Sequence, residues 1–182
     1  MQYDHIMRIL GVGPGLSTAG LGLVETDKKG SLKAIDWLTI TTSPSLELPD
    51  RLLELAQDLE GFLKEAKPEV AVVEELFFAT NKRSAMDVSQ ARGVILVTLK
   101  RAGIRVLSAT PLQLKTAVTG DGQADKKQMQ SMVKRILNLS EIPEPADAAD
   151  ALGLAIFGAH IMRGQTGVTS PSATLHAAKS PF

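Results

Sequence analysis

Leu10-Gly11-Val12-Gly13-Pro14-Gly15-Leu16-Ser17-Thr18-Ala19-Gly20, "LGVGPGLSTAG", places glycines at positions 11, 13, 15 and 20, just after an apolar start. Glycines this dense mark either a backbone that approaches a phosphate or a tight turn beside an active site. Two phosphate-binding patterns fail on detail. GxGxxG counted from Gly11 needs a glycine at Leu16, and the P-loop pattern needs Lys-Ser/Thr after Gly20, where Leu21-Gly22 stand. Pro14 also lacks the N–H that a phosphate would use. What remains is a buried strand over Ile9–Val12, a glycine-permitted turn, and a second strand.

Working outward, Ala19–Glu25 and Leu32–Thr42 read as strands joined by the polar turn Asp27-Lys28-Lys29-Gly30. Three consecutive strands start the chain as an antiparallel meander. A helix is predicted from Pro49 to Lys67, with Leu52, Leu55, Leu59, Phe62 and Leu63 on one face and Pro68 as its stop. Val70–Leu76 is an apolar, β-branched run and reads as a central strand. Ser84–Ala102 reads as a helix and Ile104–Ser108 as a strand. Pro111–Val118, Lys126–Leu137 and Ala146–Met162 are predicted helices. The order predicts an α/β fold with a mixed five-stranded sheet, three antiparallel strands plus two parallel ones, flanked by helices. It also predicts one domain over residues 1–163. The Ser/Thr/Pro/Ala-rich segment 164–182 has no periodicity and is expected to be disordered.

Composition narrows the chemistry. There are 182 residues, 44% hydrophobic and 22% charged, with a formal net charge of zero, so an anionic partner must be met by a local basic patch. The absence of Cys excludes disulfides, thiol catalysis and thiolate-held zinc, and is compatible with a cytoplasmic location. No apolar run reaches the about 18 residues of a membrane span. The opening "MQYDHIMRILG" lacks the features of a signal peptide.

Two groups of carboxylates stand out. Glu74 ends the apolar strand "VAVVEEL", where an uncompensated charge costs several kcal/mol. Alternation puts Glu75 on the opposite face. In "PADAADALGLAIFGAH", Asp147 and Asp150 lie at i and i+3 on one face near a helix N-terminus. Taken singly, Glu74 reads equally as an ion-pair partner, and Asp147 as a residue favoured by the helix dipole. Together they supply hard oxygen donors, suited to Mg²⁺ or Mn²⁺ rather than zinc.

With "ILGVGPG", "VVEELFFATN", "SAMDVSQARGV", "TPLQLKTAVTGDGQADKKQMQ" and "ADAADALGLAI" occurring in this order, the chain resembles the RuvC family of Holliday-junction resolvases from about Arg8 to Arg163. The resemblance implies a ribonuclease H-like fold and a homodimer that nicks opposing strands of four-way DNA junctions in recombination and repair. It implies a site of four acidic residues with two Mg²⁺ or Mn²⁺ ions. A junction branch-migration complex of the RuvA/RuvB kind is the implied partner. Glu74, Asp147 and Asp150 match three of the four acids. The fourth ends the first strand in a family pattern that reads Ile-Asp-Pro-Gly, and here the matching stretch is Val12-Gly13-Pro14-Gly15. Gly13 therefore stands where an aspartate is implied.

No other acid is an evident substitute. Asp4 lies nine residues upstream, about 30 Å along an extended strand. Asp121 and Asp125 read as part of a mobile connection. Gly13 is either an engineered inactivating change or the mark of a natural, catalytically silent copy. The resemblance further assigns DNA contact to Phe77 by base stacking, and to Lys115 and Lys126 at phosphate, with Asn81 and Lys127 as further candidates. Phe77 reads equally as a core residue and Asn81 as a helix cap. The Ser84–Ala102 helix is apolar around much of its circumference, with Gly93 suggesting close helix packing, and the resemblance makes it the dimer interface. A junction-binding protein that grips without cutting is the rival reading. An ATPase of the related actin-like fold would need two such domains.

Overall fold

The computed structural model describes residues 6–75 and 82–164. Its strands are β1 (Met7–Gly13), β2 (Thr18–Thr26), β3 (Leu32–Thr41), β4 (Val70–Glu74) and β5 (Arg105–Ala109). Its helices are α1 (Leu48–Ala66), α2 (Lys82–Arg101), α3 (Pro111–Thr119), α4 (Lys126–Ile136) and α5 (Ala146–Gly164). The strands form one sheet in the order β3-β2-β1-β4-β5. β1, β2 and β3 pair antiparallel, whereas β4 lies parallel to both β1 and β5. The mixed five-stranded sheet flanked by helices is as the sequence predicted. Element limits differ by a residue or two, and β4 stops at Glu74, short of the Leu76 expected.

Alternation along the strands divides the core in two. Ile9, Val24, Val70 and Val72 face α3, α4 and α5, while Leu10, Val12, Leu21, Ala71 and Val73 face α1 and α2. From α1, Leu55, Leu59 and Leu63 enter the second core, and the helix ends at Lys67 in the left-handed region (φ 48°). α5 is buried from Ala151 through Ala159 without a break, so it is a central helix and shows no amphipathic stripe.

Glycines govern how α5 sits. A Cβ added at Gly11 would fall on the carbonyl oxygen of Ala151, one at Gly20 on that of Asp147, and one at Gly22 on the backbone of Ala151 and Leu152. The helix backbone thus rests on the strand backbones of β1 and β2. Gly13 differs. It ends β1 opposite Gly20, and an added Cβ there meets nothing within 4 Å.

The turn after Gly13 is also fixed. Thr42 Oγ1, buried at the end of the meander, donates to the carbonyl of Leu16 at 2.6 Å. Arg51 of α1 donates from Nε to Thr42 Oγ1 (3.0 Å) and from Nη2 to Ser17 Oγ (2.9 Å).

Within the chain Gly93 packs against nothing: it is exposed on α2, with open space around an added Cβ. Asp121 and Asp125 lie in the connection between α3 and α4, where both make local hydrogen bonds. Asp125 caps α4 in a reciprocal box with Gln128, and Asp121 Oδ1 accepts the N–H of Gln123 at 2.8 Å. Residues 165–182, expected to be a disordered tail, lie outside the described residues, and Gly164 is the last residue of α5.

The glycine contacts make a stability prediction. Gly22→Ala should cost ~1–3 kcal/mol through overpacking against α5. Gly13→Ala should be neutral or stabilise by ~0.4–1 kcal/mol, because it restricts only the unfolded chain. Urea unfolding of the two variants checks this, and equal losses would contradict the packing described.

Candidate active site

Parallel pairing of β1 and β4 carries Gly13 and Glu74 to the same end of the sheet, one residue beyond the Val12↔Val73 pair. By alternation both positions face α5, since their neighbours Ile9, Val70 and Val72 do. α5 begins at this end, so its first turn, with Asp147 and then Asp150, stands over the strand ends. Gly20, the cross-strand partner of Gly13, lies directly under the Asp147 carbonyl. The sheet and one helix therefore bring Gly13, Glu74, Asp147 and Asp150 to one place.

Charge confirms that these groups sense one another. Burial pushes the Glu74 carboxyl above its ordinary value, and the Asp150 charge pushes it further. Burial also raises the Asp150 carboxyl, opposed by Lys126 and reinforced by Asp147. Lys126, the first residue of α4, places Nζ 3.5 Å from Asp150 Oδ2. A lysine thus partly neutralises the cluster. Lys127 is exposed next to it, and Lys115 is half-buried on α3; among the described residues neither pairs with the three carboxylates. Phe77 and Asn81 lie outside the described residues.

All three acids offer hard oxygen donors, and their mutual repulsion is what a divalent cation relieves. Among the described residues, however, no three acids close around a common point, so Glu74, Asp147 and Asp150 do not by themselves make a metal site. Gly13 stands at the same end of the sheet as Glu74. Its backbone is not in the left-handed region and the space beside it is open, so an aspartate side chain fits there.

The sequence reading missed one group. Arg92 of α2 donates from Nε to the carbonyl of Glu74 at 3.0 Å. Its only signal in the sequence is a cation between Ala91 and Ile95, two positions that proved buried.

A sheet in which a three-strand meander is followed by parallel strands, with a carboxylate at one central strand end, Gly13 at the neighbouring one and two carboxylates on a crossing helix, defines a ribonuclease H-like nuclease architecture. A family profile described as "Crossover junction endodeoxyribonuclease RuvC" matches residues 9–158. The RuvC of Syntrophomonas wolfei is 47% identical over 157 residues, covering 86% of this chain and 91% of that protein. The RuvC of Salinispora arenicola is 48% identical over 160 residues, covering 88% and 90%. Among solved structures, Thermus thermophilus RuvC superposes with a TM-score of 0.79 at 35% identity over 87% of this chain and 97% of that one. The same protein in complex with Holliday junction substrate gives 0.79 at 31% identity, covering 88% and 98%. The chain belongs to the RuvC family of crossover junction endodeoxyribonucleases.

The raised Glu74 carboxyl makes a testable statement about pH. Its ionised form is disfavoured in the folded chain, so the fold loses stability as pH rises above the ordinary carboxyl value of 4.5. Without divalent cations, Glu74→Gln should raise Tm at neutral pH by ~2–4 °C, the shift expected for about 1 kcal/mol in a domain of this size. The gain should vanish below that ordinary value, where both side chains are neutral. Melting curves across pH check this, and a lower Tm for the variant at neutral pH would contradict it.

Proposed function

We propose that this chain binds four-way DNA junctions as a homodimer in recombination and repair, and that its strand-cutting chemistry is impaired by Gly13. The observation that carries the reading is the open position at Gly13 beside Glu74, Asp147 and Asp150, in a chain otherwise matching the family from end to end of the sheet. Binding of the neighbour RuvC to a Holliday junction substrate supports the choice of DNA.

The reaction of the intact site is hydrolysis of a phosphodiester. Divalent metal held there (Mg²⁺ or Mn²⁺, two ions in the complete form) would supply positive charge for activating water and stabilising the leaving 3′ oxygen. In this chain Glu74, Asp147 and Asp150 are the oxygen donors. Without an aspartate at position 13 they would hold an ion weakly or not at all, since no three of the described acids close around a common point. Lys126 neutralises Asp150 in the absence of metal and is positioned to meet a phosphate when DNA enters. Lys115 and Lys127 extend the positive charge, and Phe77 and Asn81 are the remaining DNA-contact candidates. A branch-migration complex of the RuvA/RuvB kind is the proposed partner on the junction, and the cytoplasm the proposed location. No described helix is long and apolar enough to cross a membrane.

A junction-binding protein that no longer cuts is the second reading, favoured by Gly13 itself. Cleavage separates the two. This chain and its Gly13→Asp variant should bind synthetic junctions alike. With Mg²⁺ or Mn²⁺ the variant should cut at least ~10³-fold faster, a barrier difference of ~4 kcal/mol. Equal single-turnover rates would remove Gly13 from the explanation.

Dimer formation is assigned to α2. Met86 and Val97 are 65% and 58% exposed and share the outward face with Gly93 and Gln90, so two large apolar side chains are left uncovered by the chain's own packing. A two-fold pairing through this face matches the two-fold symmetry of a junction. Sedimentation at micromolar concentration should give a dimer, and Val97→Glu a monomer. A monomeric parent protein over that range would contradict the assignment.

A further inference from the structure

Glu74 is the last residue of β4, so its carboxylate moves with the strand end. The β1 ladder cannot hold that end. Parallel pairing stops at Val12↔Val73, and Pro14 has no N–H with which to continue it. On the other side, the Glu75 N–H donates to the Ala109 carbonyl at 2.8 Å. The Glu74 carbonyl takes a donor from α2: Arg92 Nε at 3.0 Å, while Arg92 Nη2 donates to Ser108 Oγ of β5 at 3.2 Å. One guanidinium thus joins α2, the end of β4 and β5. Bonds from a charged donor are roughly twice as strong as neutral ones. α2 packs on the face opposite α5, so Arg92 grips the strand from the side away from the Glu74 carboxylate and its neighbours Asp147 and Asp150.

We propose that Arg92 is a positioning residue for Glu74, pinning the end of β4 so that the carboxylate stands where a divalent cation is held. The proposal rests on the reading of Glu74 as a metal ligand. It assigns Arg92 no contact with substrate or metal. Its action is through the backbone carbonyl, and Ser108 is the second anchor of the same clamp.

The test uses the full chain in the Gly13→Asp background, with Mn²⁺ affinity measured by calorimetry, Tm, and amide exchange at Glu75 and Val72. Arg92→Gln should weaken Mn²⁺ binding about 10-fold, the scale found when a group that orients a ligand is lost. It should speed exchange at Glu75 while Val72, in mid-strand, stays protected. Ser108→Ala should shift both readouts the same way by less. Arg92→Lys, which restores a charged donor to the carbonyl, should recover part of the loss. Glu74→Gln should abolish tight Mn²⁺ binding.

If Glu74→Gln binds Mn²⁺ as its parent does, or the parent binds none, the ligand reading fails and the proposal falls with it. If Glu74→Gln loses the ion while Arg92→Gln and Ser108→Ala keep the parental affinity, the ligand reading stands and the positioning role is wrong. A lower Tm for Arg92→Gln with unchanged affinity has the same meaning: the arginine is structural only. Should Arg92→Gln fail to fold, Ser108→Ala decides, because it leaves the guanidinium in place.

Discussion

α5 lies backbone to backbone on β1 and β2, and this contact exists because Gly11, Gly20 and Gly22 carry no side chain. Any Cβ at those positions would meet helix carbonyls or amides, which cannot move aside as a flexible side chain could. The helix contributes small residues in return: a Cβ at Gly158 would press on Val72 and Ile9. The depth of α5 determines where its first turn stands. The Asp147 carbonyl lies over Gly20, and Asp150, one turn further in, stands close enough to Glu74 at the end of β4 for its charge to act there. The placing of the candidate site is therefore a consequence of how closely one helix approaches one sheet.

Bringing acids together at that point has an electrostatic cost that the fold meets only in part. Glu74 and Asp150 are both held above their ordinary carboxyl values, first by burial, then by the Asp150 charge at Glu74 and the Asp147 charge at Asp150. Lys126 offsets this at Asp150 from a helix whose N-terminus is itself capped by Asp125. A single ammonium 3.5 Å from one oxygen, itself 58% exposed, is a weak counter-charge. Such a site favours a further cation, which is the property phosphodiester hydrolysis needs. On the proposed reading, an aspartate at position 13 would add both a repelling charge and an oxygen donor to this cluster.

Much of this was legible in the sequence because it is local. The continuous apolar run Ile9–Val12 and the Asp27–Gly30 turn marked the meander, and Pro49 and Pro68 bounded α1 closely. The i, i+3 spacing of Asp147 and Asp150 placed both on one helical face, and the strand-end position of Glu74 was readable from the apolar run before it. What escaped was tertiary. Glycine density in β1 and β2 was visible, but the helix that requires it is more than a hundred residues away in sequence. Gly93 gave no sign of which face of α2 it lies on, and the structure puts it outward. Asp125 looked like loop until the reciprocal bond to Gln128 made it a cap. Arg92 reaches across strand ends, a contact no local pattern encodes.

The central claim is that the open position at Gly13 is the missing ligand position of a metal site. The most direct measurement is the number of Mn²⁺ ions bound per protomer, read by electron paramagnetic resonance titration for this chain and for Gly13→Asp. The expected result is at most one weakly held ion with glycine and two with aspartate, as two-metal hydrolysis requires. The same stoichiometry and affinity in both proteins would contradict it.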